Sequence, residues 1–180
     1  MTTLRADAAR SRERILAAAR GQGSVELRLN DLAKDAGVGV GTVYRHFPTV
    51  HAVVEALALD ALQELDARIR SAADAPDPAA ALRSTLDTAL ELQLREGGLQ
   101  SVLLADDSES DEVRALKRSV YGVFLGVLDR ARSAGAVRAD LTIEQLQHLV
   151  CGVEHAVRLG SPEERPLFLD VLVVGLRAAA

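Results

Sequence analysis

The chain has 180 residues, of which 48% are hydrophobic, 26% are charged and only 3% are aromatic, and its formal net charge is −5 at pH 7. This length can bury a substantial core in one or two compact units, but no apolar stretch approaches the ~20 residues of a membrane-spanning helix. The charged N-terminus is not a secretory signal, and a single cysteine, Cys151, excludes an internal disulfide, so we expect a cytoplasmic protein.

The charge is distributed unevenly along the chain. Residues 1–50 contain eight Lys/Arg and five Asp/Glu, whereas residues 51–180 contain thirteen Lys/Arg and twenty-one Asp/Glu. A basic first segment joined to an acidic remainder is typical of a modular protein whose first part meets nucleic-acid phosphates. Because the positive excess is small, two such segments on one DNA site would be needed for useful affinity.

Helical periodicity, and the absence of alternating β-branched runs, predict an all-α protein of about nine helices. We expect an N-terminal head of three helices at residues 1–48 and a helical body at residues 49–180. The first helix is predicted near residues 6–19, with an inner stripe of Ala8, Ile15, Leu16 and Ala19. The glycines that follow should end it early and leave a mobile loop at 21–27.

Residues 35–47 are typical of the turn and second helix of a helix-turn-helix. Gly37 can end the preceding helix with a positive φ, and Val38 can lie between the two helices. In a helix that starts at Val40, Val43 and Phe47 are four residues apart and face inward. Four side chains that can donate hydrogen bonds are left facing outward, and this surface suits the acceptor-rich major groove: Thr42, Tyr44, Arg45 and His46.

These motifs resemble the TetR family of transcriptional regulators. The matching segments cover roughly the first third of the chain and are Arg12–Ala19, Leu32–Val38, Gly41–Phe47 and Val54–Leu57. The resemblance implies a homodimer that presents two helix-turn-helix heads to a near-palindromic DNA operator. The chain departs from the family at residues 20–28, which lack the usual aromatic residue, and at Val50, where lysine is common.

We predict that nine residues bind DNA: Arg28, Asn30, Val40, Gly41, Thr42, Tyr44, Arg45, His46 and Thr49. Arg28 stands where the family usually has a capping Thr or Ser; it cannot cap a helix as they do, but it can reach a phosphate. Asn30 is either a contact or a shifted cap. Arg45 is either a reader of guanine or packs along the helix surface. Arg5, Arg10, Arg12 and Arg14 of the first helix are either a solvated surface or, chiefly Arg5 and Arg10, phosphate contacts.

The body is predicted to contain helices near residues 49–73, 79–95, 99–104, 111–133, 140–159 and 165–178. Thr142 and Gln145 form a capping-box pair, and the helix at 140–159 is apolar on two sides, which predicts burial on both. By resemblance, the last two helices form the dimer interface with Leu146, Leu149, Gly152, Val153, Ala156, Phe168, Val171, Leu172 and Gly175.

The resemblance also implies a small effector in the body, and the scarcity of aromatic residues favours an aliphatic one. Apolar, central positions are the candidate pocket, although each is also explained as core: Leu62, Leu86, Leu90, Leu103, Leu116, Val120, Tyr121 and Phe124. Tyr121 would be its polar handle.

No cofactor or metal is expected. The triad His148, Cys151 and His155 could hold zinc or sense oxidation, but interface packing explains it more simply. The acidic segment 106–112 lacks the spacing of a calcium loop and is interpreted as solvated.

The sequence therefore predicts a sequence-specific DNA-binding regulator, in the form of a repressor that a small effector releases. An enzyme is not expected, because no phosphate loop, nucleophile elbow or metal motif is present. The alternative is a protein-interaction module that has lost operator binding, which Arg28, the Gly-rich loop and Val50 leave open.

Overall fold

The computed structural model describes residues 2–22 and 27–177, and all the regular structure in these ranges is helical. The helices are α1 (Thr2–Gln22), α2 (Leu29–Asp35), α3 (Val40–His46), α4 (Val50–Ala73), α5 (Pro78–Arg95), α6 (Leu99–Leu104), α7 (Asp111–Ser133), α8 (Ile143–Leu159) and α9 (Arg165–Gly175). A short 3-10 turn, Pro162–Glu164, precedes α9. The all-α prediction is confirmed, and the bounds of α4 to α8 agree with the predicted ranges to within a few residues.

The first helix is longer than predicted. It begins at Thr2 and continues through Gly21 and Gln22, so the expectation that a glycine ends it early is wrong at Gly21. An interior glycine costs a helix about 1 kcal/mol relative to alanine, which is too little to end it alone. Residues 23–26 of the predicted mobile loop lie outside the described residues.

The inner stripe of α1 is shorter than the periodicity suggested. Ile15, Leu16 and Ala19 are buried as predicted, but Ala8 is exposed, as are all of residues 6–10. The later turns of α1 therefore supply the buried surface of this helix, and periodicity alone could not show where that contact begins.

Contacts divide the chain into two compact units. The first contains Met1–Asp60 and Gly97–Arg114, and the second contains Ala61–Glu96 and Ala115–Ala180. This division differs from the predicted boundary between residues 48 and 49, because the first turns of α4, all of α6 and the first residues of α7 group with the head.

Glu55 of α4 explains much of this grouping. Its carboxylate is buried, at 2% exposure, and accepts hydrogen bonds from the backbone N–H groups of Glu109 and Ser110, each at 3.0 Å. The Nε2 atom of His51 lies 3.1 Å from the same carboxylate. A buried carboxylate is stable only when it is well paired, so these bonds fix the segment before α7 against the start of α4.

In the first unit, α2 and α3 pack against each other and against α1. The second unit has an apolar core that includes Leu86, Leu90, Val127, Leu128, Leu146 and Leu169. Its helices have defined starts: the Asp77 carboxylate accepts hydrogen bonds from the N–H groups of Ala79 and Ala80, and the predicted capping box of Thr142 and Gln145 is present at α8. Capping satisfies backbone donors that would otherwise lack partners.

Replacing Glu55 by alanine should lower the free energy of unfolding by about 2 kcal/mol, because the backbone N–H groups of Glu109 and Ser110 lose a charged acceptor in part-buried hydrogen bonds. Glu55→Gln should lose less, since the amide oxygen still accepts a hydrogen bond. Asp60→Ala, at an exposed position of the same helix, should change stability by less than about 0.5 kcal/mol. Denaturant unfolding measures all three, and a Glu55→Ala protein as stable as Asp60→Ala would contradict the assignment.

Candidate functional site

The turn between α2 and α3 is fixed by Gly37. Its φ is +59°, a left-handed conformation that glycine adopts without steric cost, as the sequence predicted. The Gly37 N–H donates to the Lys34 carbonyl at 3.1 Å, and the Val38 N–H donates to the Ala33 carbonyl at 3.0 Å. This pair of bonds is the Schellman arrangement, which ends α2 and directs the chain into α3.

The helix α3 has one buried and one exposed face. Val43 and Phe47 are buried, at 0% and 2% exposure, as predicted. Tyr44 and Arg45 are exposed, and Thr42 and His46 are half-buried. A Cβ at Gly41 would meet no atom within 4 Å, so this part of the helix surface is open. Val43 and Phe47 thus anchor α3, and its opposite face exposes polar side chains.

The other predicted DNA contacts lie at the starts of α2 and α3 and just before α4. Val40 is exposed at the start of α3. Arg28 and Asn30 are exposed at the start of α2, where the Arg28 carbonyl accepts the first helical bonds but its side chain makes no capping bond. Because Arg28 holds the N-cap position, Asn30 is not a shifted cap.

Thr49 has a structural task that the sequence suggested only in part. Its hydroxyl oxygen accepts a hydrogen bond from the Ala52 N–H at 3.0 Å, so Thr49 caps the start of α4. The same hydroxyl donates to the Glu109 carboxylate at 3.0 Å. Both hydrogen-bonding functions of Thr49 are therefore used within the protein, and an acidic side chain lies beside it.

The arginines of α1 make contacts that the sequence did not reveal. Arg10 pairs with Asp7, Arg14 donates to the Gly37 carbonyl at 3.2 Å, and the Arg12 guanidinium lies 5.4 Å from the centroid of the Phe47 ring. The side chain of Arg5 lies outside the described residues. The contacts of Arg12 and Arg14 follow from the three-dimensional packing of α1, since Gly37 is 23 positions from Arg14 and Phe47 is farther still from Arg12.

A groove of about 430 Å³ lies between α8 and α9, and most of the predicted dimer residues line it. Its lining is almost entirely apolar and consists of His148, Leu149, Gly152, Val153, Ala156, Phe168, Val171, Leu172, Gly175 and Leu176. Val171 is 64% exposed and Leu149 is 43% exposed, which are high values for apolar side chains. Such a patch marks an interaction surface.

The prediction that Leu146 belongs to the dimer interface is wrong. Its side chain is 1% exposed and belongs to the core of the second unit, so it has no surface to offer a partner. The helix α8 is apolar on two sides, and the sequence pattern alone did not show which side faces the core of the same chain.

The predicted effector residues are spread over different environments. Leu62, Leu86, Leu90 and Val120 are buried, and Phe124 packs against the core that contains Leu86 and Leu90. Leu116 and Leu103 are half-buried, and Leu103 belongs to the first unit. Tyr121 is 42% exposed, and its hydroxyl donates to the Glu144 carboxylate at 3.0 Å, which raises the tyrosine pKa.

A cleft of about 590 Å³ in the second unit has a more polar lining than the predicted pocket: Arg68, Ser71, Ala72, Asp74, Ala75, Ser84 and Thr88. The Arg68 guanidinium donates to Glu91 at 3.0 and 2.9 Å and to Glu64 at 3.2 Å. Hydrogen bonds from Arg95 and then Arg68 hold the pKa of the Glu64 carboxyl group below its usual value, and those from Arg68 do the same for Glu91, which leaves the Arg68 charge compensated.

Across residues 2–22 and 27–177, no group of three or more His, Cys, Asp or Glu side chains is arranged to hold a metal ion. His148 and His155 are exposed on α8, and Cys151 is half-buried between them. In the same ranges, no helix has both the length and the apolar character that crossing a bilayer requires.

Comparison with known proteins adds to this geometry. Residues 77–178 match the family described as the transcriptional regulator SbtR-like C-terminal domain, which is one of the TetR C-terminal domain families. A TetR transcriptional regulator of Streptomyces coelicolor is 28% identical, with a TM-score of 0.54, over 94% of this chain and 99% of that chain.

Two further solved structures share the fold at lower identity. The ketosteroid transcriptional regulator KstR2 of Mycobacterium tuberculosis is 19% identical, with a TM-score of 0.63, over 96% of both chains. FadR of Bacillus subtilis, solved in complex with stearoyl-CoA, is 15% identical, with a TM-score of 0.60, over 94% of this chain and 99% of that chain. A comparison with curated proteins found no significant match.

The turn can be tested with two glycine substitutions. Gly37→Ala should lower the free energy of unfolding by about 1–2 kcal/mol, because alanine is strained at positive φ. The new Cβ would also lie 2.7 Å from Nη2 of Arg14. Gly41→Ala is the matched control, since it adds a methyl group in open space within a helix and should stabilise by about 0.5–1 kcal/mol. Equal effects in denaturant unfolding would show that the turn does not depend on Gly37.

Proposed function

The chain belongs to the TetR family of transcriptional regulators, and from this premise we propose that it is a sequence-specific DNA-binding repressor that a small-molecule effector releases. One observation carries the DNA-binding part of the proposal: α3 is anchored by Val43 and Phe47 and exposes Tyr44 and Arg45 on its outer side. A short helix with polar side chains and a fixed orientation can enter the major groove.

We assign roles to the exposed residues by their chemistry. Arg45 can donate two hydrogen bonds to a guanine edge, and Thr42 can contact a base edge or a thymine methyl group. Tyr44, His46 and Arg28 would bind phosphates and fix the register of the helix on the duplex. Thr49 is the weakest of the predicted contacts, because its hydroxyl already serves α4 and Glu109.

We propose that the α8–α9 groove is covered by the same groove of a second copy. Its exposed apolar side chains are unfavourable in water, and Gly152 and Gly175 leave open space for a close approach of helices. A two-fold dimer would present two heads to a near-palindromic operator. Two heads also double the modest positive charge of residues 1–50, which a single head could not convert into high affinity.

The effector in this proposal is small and apolar. The helices of the second unit supply mainly aliphatic side chains, and the protein contains only three Phe, two Tyr and no Trp. Tyr121 would be a polar contact at the edge, since its hydroxyl is bound to Glu144 rather than enclosed in the core. The protein is proposed to act in the cytoplasm and to carry no enzymatic activity.

DNA binding is tested with exposed residues of α3. Arg45→Ala should weaken binding to duplexes from the DNA upstream of the protein's own reading frame by about 10–100-fold, as expected for a lost base contact, and Tyr44→Ala should weaken it by a smaller factor, as expected for a lost phosphate contact. Their melting temperatures should stay near that of the parent, because neither side chain is buried.

Arg118→Ala is the matched control, since this position is exposed in the second unit and belongs to none of the proposed sites. It should leave the electrophoretic shift unchanged. If the parent protein shifts no duplex at low salt, the protein-interaction alternative replaces this proposal. If Tyr44→Ala unfolds the protein instead, the side chain is part of the core and the surface assignment is wrong.

The dimer face is tested with Val171→Asp. A buried carboxylate without a partner is costly, so this variant should be monomeric in sedimentation at concentrations where the parent is a dimer. Its operator affinity should fall with the loss of the second head. Leu104→Asp places the same charge at a 43%-exposed leucine of the first unit and should leave the dimer intact. A dimeric Val171→Asp protein would exclude this face.

A further inference from the structure

Two arginines of α1 contact residues on either side of α3, the proposed recognition helix. Arg12 and Arg14 are both exposed, and they come just before the buried residues Ile15 and Leu16, by which α1 packs into the first unit. Each makes a contact that is distant in sequence, one before the start of α3 and one at its end.

Arg14 holds the turn that precedes α3. Its Nη2 donates to the Gly37 carbonyl at 3.2 Å, and a Cβ at Gly37 would lie 2.7 Å from the same nitrogen. The guanidinium therefore occupies the space beside the one residue of the turn with a positive φ. A charged donor on this carbonyl strengthens the bond and resists rotation of the peptide that directs the chain toward Val40.

Arg12 holds the other end. Its guanidinium lies 5.4 Å from the centroid of the Phe47 ring, within the range of a cation–π contact. Phe47 is the C-cap residue of α3 and is 2% exposed. The His46 ring is also close to Phe47, with 6.4 Å between the two ring centroids. The arginine thus lies over the ring that anchors the end of α3.

We infer that Arg12 and Arg14 are positioning residues, which set the placement of the recognition helix without binding DNA themselves. The inference rests on the proposed DNA-binding function. An arginine that binds a phosphate must point its guanidinium group at the duplex. The guanidinium groups of Arg12 and Arg14 instead contact atoms of the protein. Direct base readout depends on where α3 lies, so a small displacement of either end weakens specific contacts more than general attraction to phosphates.

The two roles differ in three measurable ways. Loss of a phosphate contact weakens binding to all sequences about equally and reduces the slope of log K against log salt by about 1. Loss of a positioning residue lowers the ratio of specific to non-specific affinity and leaves the salt slope unchanged. A neutral hydrogen-bond donor can replace Arg14 as a positioning residue, but it cannot replace Arg14 as a phosphate contact.

The experiment uses the full-length protein and two duplexes. The specific probe is the duplex that binds best among overlapping fragments from upstream of the protein's own reading frame, and the non-specific probe is a shuffled duplex of equal composition. Arg14→Met and Arg12→Met should each lower the specific affinity by about 10-fold, with the non-specific affinity and the salt slope unchanged. Arg14→Gln, which keeps a donor for the Gly37 carbonyl without the charge, should recover most of the lost specificity.

Thermal unfolding accompanies each binding measurement, and the variants should melt close to the parent, because both side chains are exposed. Equal losses on both duplexes with a reduced salt slope, and no recovery by Arg14→Gln, would overturn the inference and make the arginines phosphate contacts. A loss of specific binding that follows only from a lowered melting temperature would also overturn it. Absence of any preference in the parent protein would instead remove the proposed function itself.

Discussion

The left-handed backbone of Gly37 is the constraint on which the candidate site depends. It lets the chain leave α2 through two backbone hydrogen bonds and enter α3 within three residues, so that Val43 and Phe47 reach the core. With those two side chains buried, the helical period places Tyr44 and Arg45 on the outside. The orientation of the exposed face is therefore a consequence of backbone chemistry at one glycine rather than of any interaction on that face.

Polar hydrogen bonds outside the helix-turn-helix also stabilise the first unit. Glu55 ties the segment before α7 to the first turns of α4, and Thr49 and Glu109 add a further bond between the same two segments. The helices α1 to α3 alone bury little apolar surface, since α2 and α3 have seven residues each, and small domains are correspondingly marginal. Segments that are distant in sequence thus stabilise the head through polar groups whose partners are lost if the contact opens.

Local patterns predicted the parts of the structure that local chemistry decides. The turn at Gly37, the inward pair Val43 and Phe47, and the capping box at Thr142 are set by neighbours a few residues away. Tertiary contacts decided other features: the grouping of the first turns of α4 with the first unit, where Glu55 binds the segment before α7, and the burial of Leu146 while Leu149 stays exposed. A helix with two apolar sides does not show which side meets its own core, and no sequence pattern placed Arg12 and Arg14 on residues of the turn and of α3.

The central claim is that the exposed face of α3 reads DNA sequence, and selection from a pool of random duplexes tests it most directly. Two copies related by a two-fold axis should recover a preferred sequence made of two inverted half-sites, with centres about one helical turn or a small multiple apart. Recovery of no preferred sequence, from a protein that is folded and dimeric, would contradict the account.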